Sequence, residues 1–388
     1  MLSYRTVLFC CESLERFQFI SRLAEPIKNK ALLITTEPLV KVLSLINGFE
    51  CQYVHRMSNG LNRVTNIRKD ELETTIEVLN DAMAVEGASM WASAIENTIS
   101  KKKFSRIEKV VIWNGQQVLG KTVANYYRSK NVTTLFLELS NLPKKIFVDR
   151  KGVNAQSSIE NFNHLPPINE AIHKQWLDDY RLYKTSPPPQ ASVNHKKKVF
   201  SALNLFLKEI FFSRNIHPTS LIKHKVGSEF ETDIVSLEDD YFFVPLQVSG
   251  DTQIKINSKY NNVDLIVYSA QVAERVGAKL VVKIHPAESS VSQVECILSL
   301  KEKLNFLLSS QNTVDLLSNS KKVITINSTV GLESMILDKD VEVIGEAFYK
   351  DFTRDDLLKY IHGYLVDGVD YFSDESIELS KVLEILDR

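Results

Sequence analysis

Apolar positions along this chain fall into short blocks with two distinct spacings. Runs of strand length alternate with stretches that carry apolar residues at helical intervals. In the first half, strands are predicted at 4–11, 30–36, 109–113 and 132–138. Helices are predicted at 12–27, 68–103, 116–129 and 168–184. The second half repeats the alternation, with strands at 241–248, 280–284, 305–308, 322–326 and 341–344. Its helices fall at 257–276, 291–303, 312–318 and 329–338, and an amphipathic helix at 375–387 ends the chain. Strands that alternate with helices imply an α/β fold built on parallel sheets.

A break separates the halves. Pro187, Pro188 and Pro189 favour an extended, semi-rigid spacer, and Lys196, Lys197 and Lys198 follow it. A helical segment at 199–213 is expected to open the second half. The expected domains are 1–190, with a linker near 186–198, and 199–370. Residues 371–388 form a helix expected to pack back on the first domain.

Four of the strands run into polar residues. The run at 109–113 meets Asn114 and Gly115, and 134–137 meets Glu138. The run at 280–284 meets His285 and Pro286, and 323–326 meets Asn327, Ser328, Thr329 and Gly331. Ligands of open α/β sheets sit beyond the carboxyl ends of the strands. Reactive groups at that address in both halves imply an active site between two nucleotide-binding-like domains.

Composition narrows the classes. A net charge of -1 does not point to a nucleic-acid binder, although Lys196–Lys198 keeps that as a distant alternative. Cys10, Cys11, Cys51 and Cys296 form no CxxC pair, so reduced core thiols are expected rather than zinc. Residues 1–20 carry Arg5, Glu12, Glu15 and Arg16, unlike a secretion signal, and no run is long enough to span a membrane. A cytoplasmic location, with peripheral contact to the inner membrane, is the expectation.

The candidate chemistry follows from residue type. On a strand, Lys283 and His285 share a face, where a histidine can donate to an anionic leaving group and a lysine can add a point charge. A strand ending in Ser328 and Thr329 before a helix suits a phosphate, because helix N-termini offer unpaired N–H groups. Gly331 would allow close approach, and Glu333, about one turn in, would suit a ribose hydroxyl. Gln247 ends a strand, and Asp251 lies in the polar loop after it. Glu138 interrupts an apolar strand, as a general base would, or as a partner of Lys144, Lys145 or Arg150 would.

Three segments in the first half resemble the bacterial capsular-polysaccharide Kdo transferases: Trp113–Gly115, the Glu138 strand and the polar loop at 149–158. Gln247 through Ile254, Lys283 through Pro286 and Asn327 through Glu333 resemble them too, in the same order. The His-Pro and Ser-Thr-Val-Gly-x-Glu motifs are also similar to those of CMP-sialic acid transferases. The resemblance implies a GT-B fold, two Rossmann-like domains facing a cleft. It implies CMP-β-Kdo as donor, retention by double displacement, no metal or other cofactor, and a glycan or lipid-linked saccharide acceptor. By the same resemblance Asp251 is the nucleophile, with Glu231 or Asp233 as alternatives, and Glu138 is the acceptor-side base. Gln247, Lys283, His285, Asn327, Ser328, Thr329, Gly331 and Glu333 bind CMP, and Asn114, Asn154 and Ser157 meet the acceptor. Rival readings are a sialyltransferase, a UDP-sugar epimerase and a non-catalytic glycan-binding subunit.

Overall fold

The computed structural model describes residues 6–55, 65–140, 142–159, 162, 164–185 and 230–388. The proline spacer, the lysine run at 196–198 and the helix expected at 199–213 lie outside the described residues. The chain divides into two compact units, each a Rossmann-like α/β layer structure.

The first unit holds a seven-stranded sheet. Its strands are β1 (Val7–Cys10), β2 (Ala31–Thr35), β3 (Cys51–Tyr53), β4 (Lys109–Trp113), β5 (Thr133–Leu139), β6 (Lys145–Asp149) and β12 (Val366–Asp367). They lie in the order β12-β6-β5-β4-β1-β2-β3. The five from β3 to β5 pair in parallel, and β6 and β12 close the edge antiparallel. Beginning at β1, the chain winds outward through β2 and β3, then returns to add β4 and β5 on β1's other side. The sheet therefore reverses between β1 and β4.

Helix α1 (Leu14–Ala24) starts at Ser13, whose hydroxyl accepts the Arg16 N–H. Glu12 thus falls outside the helix expected at 12–27, at the carboxyl end of β1. The single helix expected at 68–103 is three: α3 (Lys69–Glu73), α4 (Ile76–Leu79) and α5 (Val85–Ile99), the last two separated at Asp81, whose φ is 55°. Lys102 and Lys103 sit in a 3₁₀ turn beyond α5. Helix α6 (Val118–Arg128) follows β4.

The second unit holds a five-stranded parallel sheet of β7 (Tyr241–Pro245), β8 (Lys279–Lys283), β9 (Leu307–Leu308), β10 (Lys322–Thr325) and β11 (Asp340–Val343), in the order β11-β10-β7-β8-β9. This sheet reverses between β7 and β10. The helix expected at 257–276 is α9 (Asn262–Val276), started by an Asn261/Asp264 capping box, and a separate short helix, α8 (Thr252–Asn257), precedes it. Helix α12 (Thr329–Ile336) follows β10 directly.

The unit boundaries differ from those expected. Residues 162–185 belong to the second unit, not to a 1–190 domain. There α7 (Glu170–Thr185) places Lys184 on Glu333 at 2.8 Å, and Phe162 packs edge-on to Phe352 at 5.3 Å. Residues 360–388 belong to the first unit, so the 199–370 boundary also moves. Strand β12 pairs with β6, and Val382, Ile385 and Leu386 of α14 (Leu379–Leu386) enter the first core with Phe19 and Trp113. Burial of these apolar side chains, at about 25 cal/mol per Å², makes the returning segment part of that core.

Candidate functional site

In the second unit the expected residues gather where the sheet reverses. Gln247 follows β7 and is buried. Its Nε2 donates to Asn327 Oδ1 at 3.1 Å and to Asp251 Oδ2 at 3.2 Å, and its Oε1 accepts the Asn327 N–H at 3.4 Å. Its carbonyl accepts from Asn262 Nδ2 at 2.8 Å, which anchors the turn to α9. Asp251 caps α8, with Oδ1 accepting the Gln253 N–H at 2.8 Å. Asn327 Nδ2 in turn donates to the Gln253 carbonyl at 2.9 Å. One amide, Gln247, thereby joins the loop after β7 to the loop after β10.

Ser328 caps α12, its hydroxyl accepting the Val330 N–H at 3.2 Å, and Thr329 is exposed as the first helical residue. The helix's positive end lies beside the Gln247–Asn327 pair. Gly331 is closely packed. A Cβ there would lie 2.5 Å from Tyr349 Oη and 3.0 Å from Thr325 Cγ2. Tyr349 fills that space and donates its hydroxyl to the Ser328 carbonyl.

Glu333 is paired with Lys184, both largely shielded from solvent. Lys283 does not present its ammonium as expected: it donates to the Gln311 carbonyl, and burial pulls its pKa down. His285, in the loop past the end of β8, is exposed. Its Nδ1 accepts the Ala287 N–H at 3.0 Å. In the neutral ring this makes Nε2 the N–H donor. Asp233, weighed as an alternative nucleophile, is structural. It binds Lys301 at 2.7 Å and exchanges backbone and side-chain bonds with Leu308.

In the first unit, Glu138 Oε2 accepts from Asn114 Nδ2 at 2.5 Å. Two of the cations weighed as its partners are engaged elsewhere: Lys145 with Asp367 at 3.0 Å, Arg150 with the Arg388 carbonyl. Asn114 and Gly115 both have positive φ, 60° and 79°, which turns the chain sharply at the end of β4. A side chain at 115 would strike the Phe136 ring.

The loop at 149–158 is built on Asp149. Its buried carboxylate accepts the N–H groups of Lys151, Gly152 and Ser158 at 2.6, 2.9 and 3.0 Å, and the hydroxyls of Ser158 and Tyr364 at 2.5 and 2.7 Å. Burial alone would raise its pKa; the bonds from Ser158, Tyr364, Gly152 and Lys151 outweigh this and lower it. Asn154 turns the loop with φ 54°, and Ser157 is buried in it. Gln156 accepts from Gln116 at 2.6 Å, which ties the loop to the end of β4.

Sequence reasoning missed Glu12. It stands at the first sheet's reversal point, is only 6% exposed, and leaves Oε1 without a hydrogen bond. Burial pushes its pKa well up, and the nearby Glu77 and Glu138 carboxylates add to this against Arg16. It also missed Glu288, which is buried against Ser249. The one available signal was a carboxylate set directly beyond a strand, as for Glu12. Among the described residues no cluster of three or more metal-type side chains occurs, and no helix is long and apolar enough to cross a membrane.

Residues 183–357 match the family of capsule polysaccharide biosynthesis proteins. This stretch contains all the second-half motifs, so the capsular-polysaccharide resemblance read from them is borne out. Protein FixF of Sinorhizobium fredii (strain NBRC 101917 / NGR234) is 27% identical over 247 residues, 62% of this chain and 49% of that protein. Capsule polysaccharide export protein KpsS of Escherichia coli is 30% identical over 124 residues, 29% of this chain and 32% of that protein. This chain therefore spans about half the length of the first relative and about a third of the second. Among solved structures, Thermosulfurimonas dismutans KpsC, beta Kdo 2,4 transferase, is 17% identical with a TM-score of 0.45, over 73% of this chain and 88% of that one.

Proposed function

We propose that this chain, which over residues 183–357 carries the capsule polysaccharide biosynthesis family, is a glycosyltransferase that moves β-Kdo from CMP-β-Kdo to a glycan or lipid-linked saccharide. The observation that carries the reading is the Gln247–Asp251–Asn327 network beside the Ser328-capped helix, at the point where the second sheet reverses. Such a reversal is where open α/β sheets bind nucleotides. The cytidine donor is supported by the similarity of the His285-Pro286 and Ser328–Glu333 motifs to those of CMP-sugar transferases.

In this reading the CMP phosphate sits on the first turn of α12 and on His285 Nε2–H. As the bond from the anomeric carbon to the phosphate oxygen breaks, the electron pair leaves with CMP. A preorganised donor to that developing charge contributes about 3–4 kcal/mol. Asp251 bonds to the anomeric carbon and inverts it. The acceptor oxygen then attacks the same carbon and gives its proton to Glu138, while Asp251 departs as carboxylate. Two inversions retain the β configuration. Asn114 orients Glu138, and Asn154 and Ser157 shape the acceptor side. No metal enters the scheme. Glu333 takes the ribose hydroxyls with Lys184 holding its charge. The proposed location is the cytoplasmic face of the inner membrane, where a lipid-linked acceptor is met.

The test is incubation with CMP-Kdo and candidate acceptors, with the linkage read by NMR. Thermal stabilisation by CMP and not by UDP is the expected companion result. Stabilisation by UDP alone would replace this reading with that of a UDP-sugar enzyme.

A further inference from the structure

Glu288 has no part in the chemistry above, yet only 2% of its surface is exposed. Its carboxylate bonds to two different loops. Oε2 accepts the Ser249 N–H at 2.7 Å. Oε1 accepts the Ser289 and Ser290 N–H groups, each at 2.8 Å, and the Ser249 hydroxyl at 3.0 Å. Ser249 lies two residues before Asp251 in the loop after β7. Ser289 and Ser290 lie in the loop after β8, which also carries His285. The Glu288 N–H donates to the His285 carbonyl at 2.9 Å, closing that turn onto the same residue. Strands β7 and β8 are paired neighbours, so the two loops leave the sheet side by side.

Hydrogen bonds from backbone N–H groups to a carboxylate are charge-assisted and short. Three of them, with the bond from the Ser249 hydroxyl, fix the two loops against each other. Burial alone would raise the Glu288 pKa, but the bonds from Ser249, Ser290 and Ser289 outweigh it and hold the group below the usual carboxylate range. It is therefore charged at neutral pH, when the bridge is strongest.

We infer that Glu288 is a positioning residue that locks the Asp251 loop to the His285 turn, setting the distance between nucleophile and leaving-group partner; this rests on the roles proposed for those two residues. Glu288 needs no contact with the sugar or the nucleotide for this.

Glu288→Gln separates the two sides of the bridge. With its carboxamide oxygen kept on Ser289 and Ser290, its NH₂ group meets the Ser249 N–H, and two donors repel. Hydrogen exchange read by mass spectrometry should then speed up by about 10-fold over residues 247–253, with residues 285–291 much less affected. With a CMP-sugar donor, kcat should fall by about 10-fold to 100-fold, while the CMP dissociation constant stays within about threefold. Unchanged exchange over 247–253 overturns the lock. So does a loss of kcat matched by an equal loss of CMP affinity, which marks a purely structural role. Exchange is independent of activity. A wild-type chain that neither binds CMP nor transfers sugar defeats the functional reading, and the exchange result still decides the lock. Should Glu288→Gln fail to fold, Ser249→Ala removes only the hydroxyl bond. It should shift exchange over 247–253 in the same direction by a smaller factor, and no shift there overturns the inference.

Discussion

Gln247 donates to Asn327 at 3.1 Å across the one place where the second sheet changes its direction of winding. The same amide nitrogen holds Asp251 at 3.2 Å. One side chain thus sets the proposed nucleophile against the loop that leads into the Ser328-capped helix. Gln247→Leu keeps the size and removes the donors. Steady-state kinetics with a CMP-sugar should show kcat/KM reduced by about 10-fold to 100-fold, with circular dichroism unchanged.

Asp251 and His285 separate chemistry from binding. Asp251→Asn should abolish transfer while calorimetry still registers CMP. His285→Ala should weaken CMP binding as well as slow turnover, since it removes the proposed donor to the phosphate. Retained turnover in the first variant, or unaltered affinity in the second, contradicts the assigned role.

Glu12 makes stability depend on pH. Its folded pKa is raised above 4.5 by burial, with Glu77 and Glu138 adding to the effect. The unfolded chain therefore loses this proton first. Stability from the neutral, buried form is complete below about 4.5 and is lost as pH rises towards the raised folded value. Glu12→Gln stays neutral at every pH. It should melt above the wild type at pH 8, by about 2–4 °C for each kcal/mol recovered, and the difference should vanish near pH 4. Thermal melts across that range check it.

Gly331 and Tyr349 form a steric pair. Gly331→Ala drives a methyl onto the Tyr349 hydroxyl, which is bonded to the Ser328 carbonyl. Overpacking of this kind costs about 1–3 kcal/mol and should loosen the start of α12. Adding Tyr349→Phe removes the oxygen in the way and should recover part of the loss. Urea unfolding of the single and double variants measures the coupling.

Asp149 carries the loop at 149–158. Asparagine in its place must turn an NH₂ group towards donors that now meet a carboxylate, at a cost of about 2–4 kcal/mol. Because the folded pKa is lowered, this stability is present above 3.8 and lost as pH falls through the lower folded value. Asp149→Asn should also raise hydrogen exchange across 150–158.

The strand ends were legible because the period of the pattern is local. Glu138, Gln247, His285, Asn327 and Ser328 all stand where apolar runs stop, and the structure puts each at or just beyond a strand. Glu12 follows the same rule but was absorbed into the helix expected at 12–27, because a helix period cannot show that Ser13 is its cap. The partner of Lys283, the Gln311 carbonyl, was not legible because it lies on another segment. That Tyr349 packs against Gly331 is likewise not visible in the local pattern.

By itself the sequence determined the α/β class, most strands and helices, and the residue types that end each strand. Those follow from hydrophobic period and chain-local preference. Tertiary structure alone decided that 162–185 joins the second unit and 360–388 the first. It also decided that Lys184 meets Glu333, 149 positions away, and that Tyr364 meets Asp149, 215 positions away. Burial and hydrogen bonding between distant segments determine those pairings, and a local pattern carries no record of which distant segment will cover it.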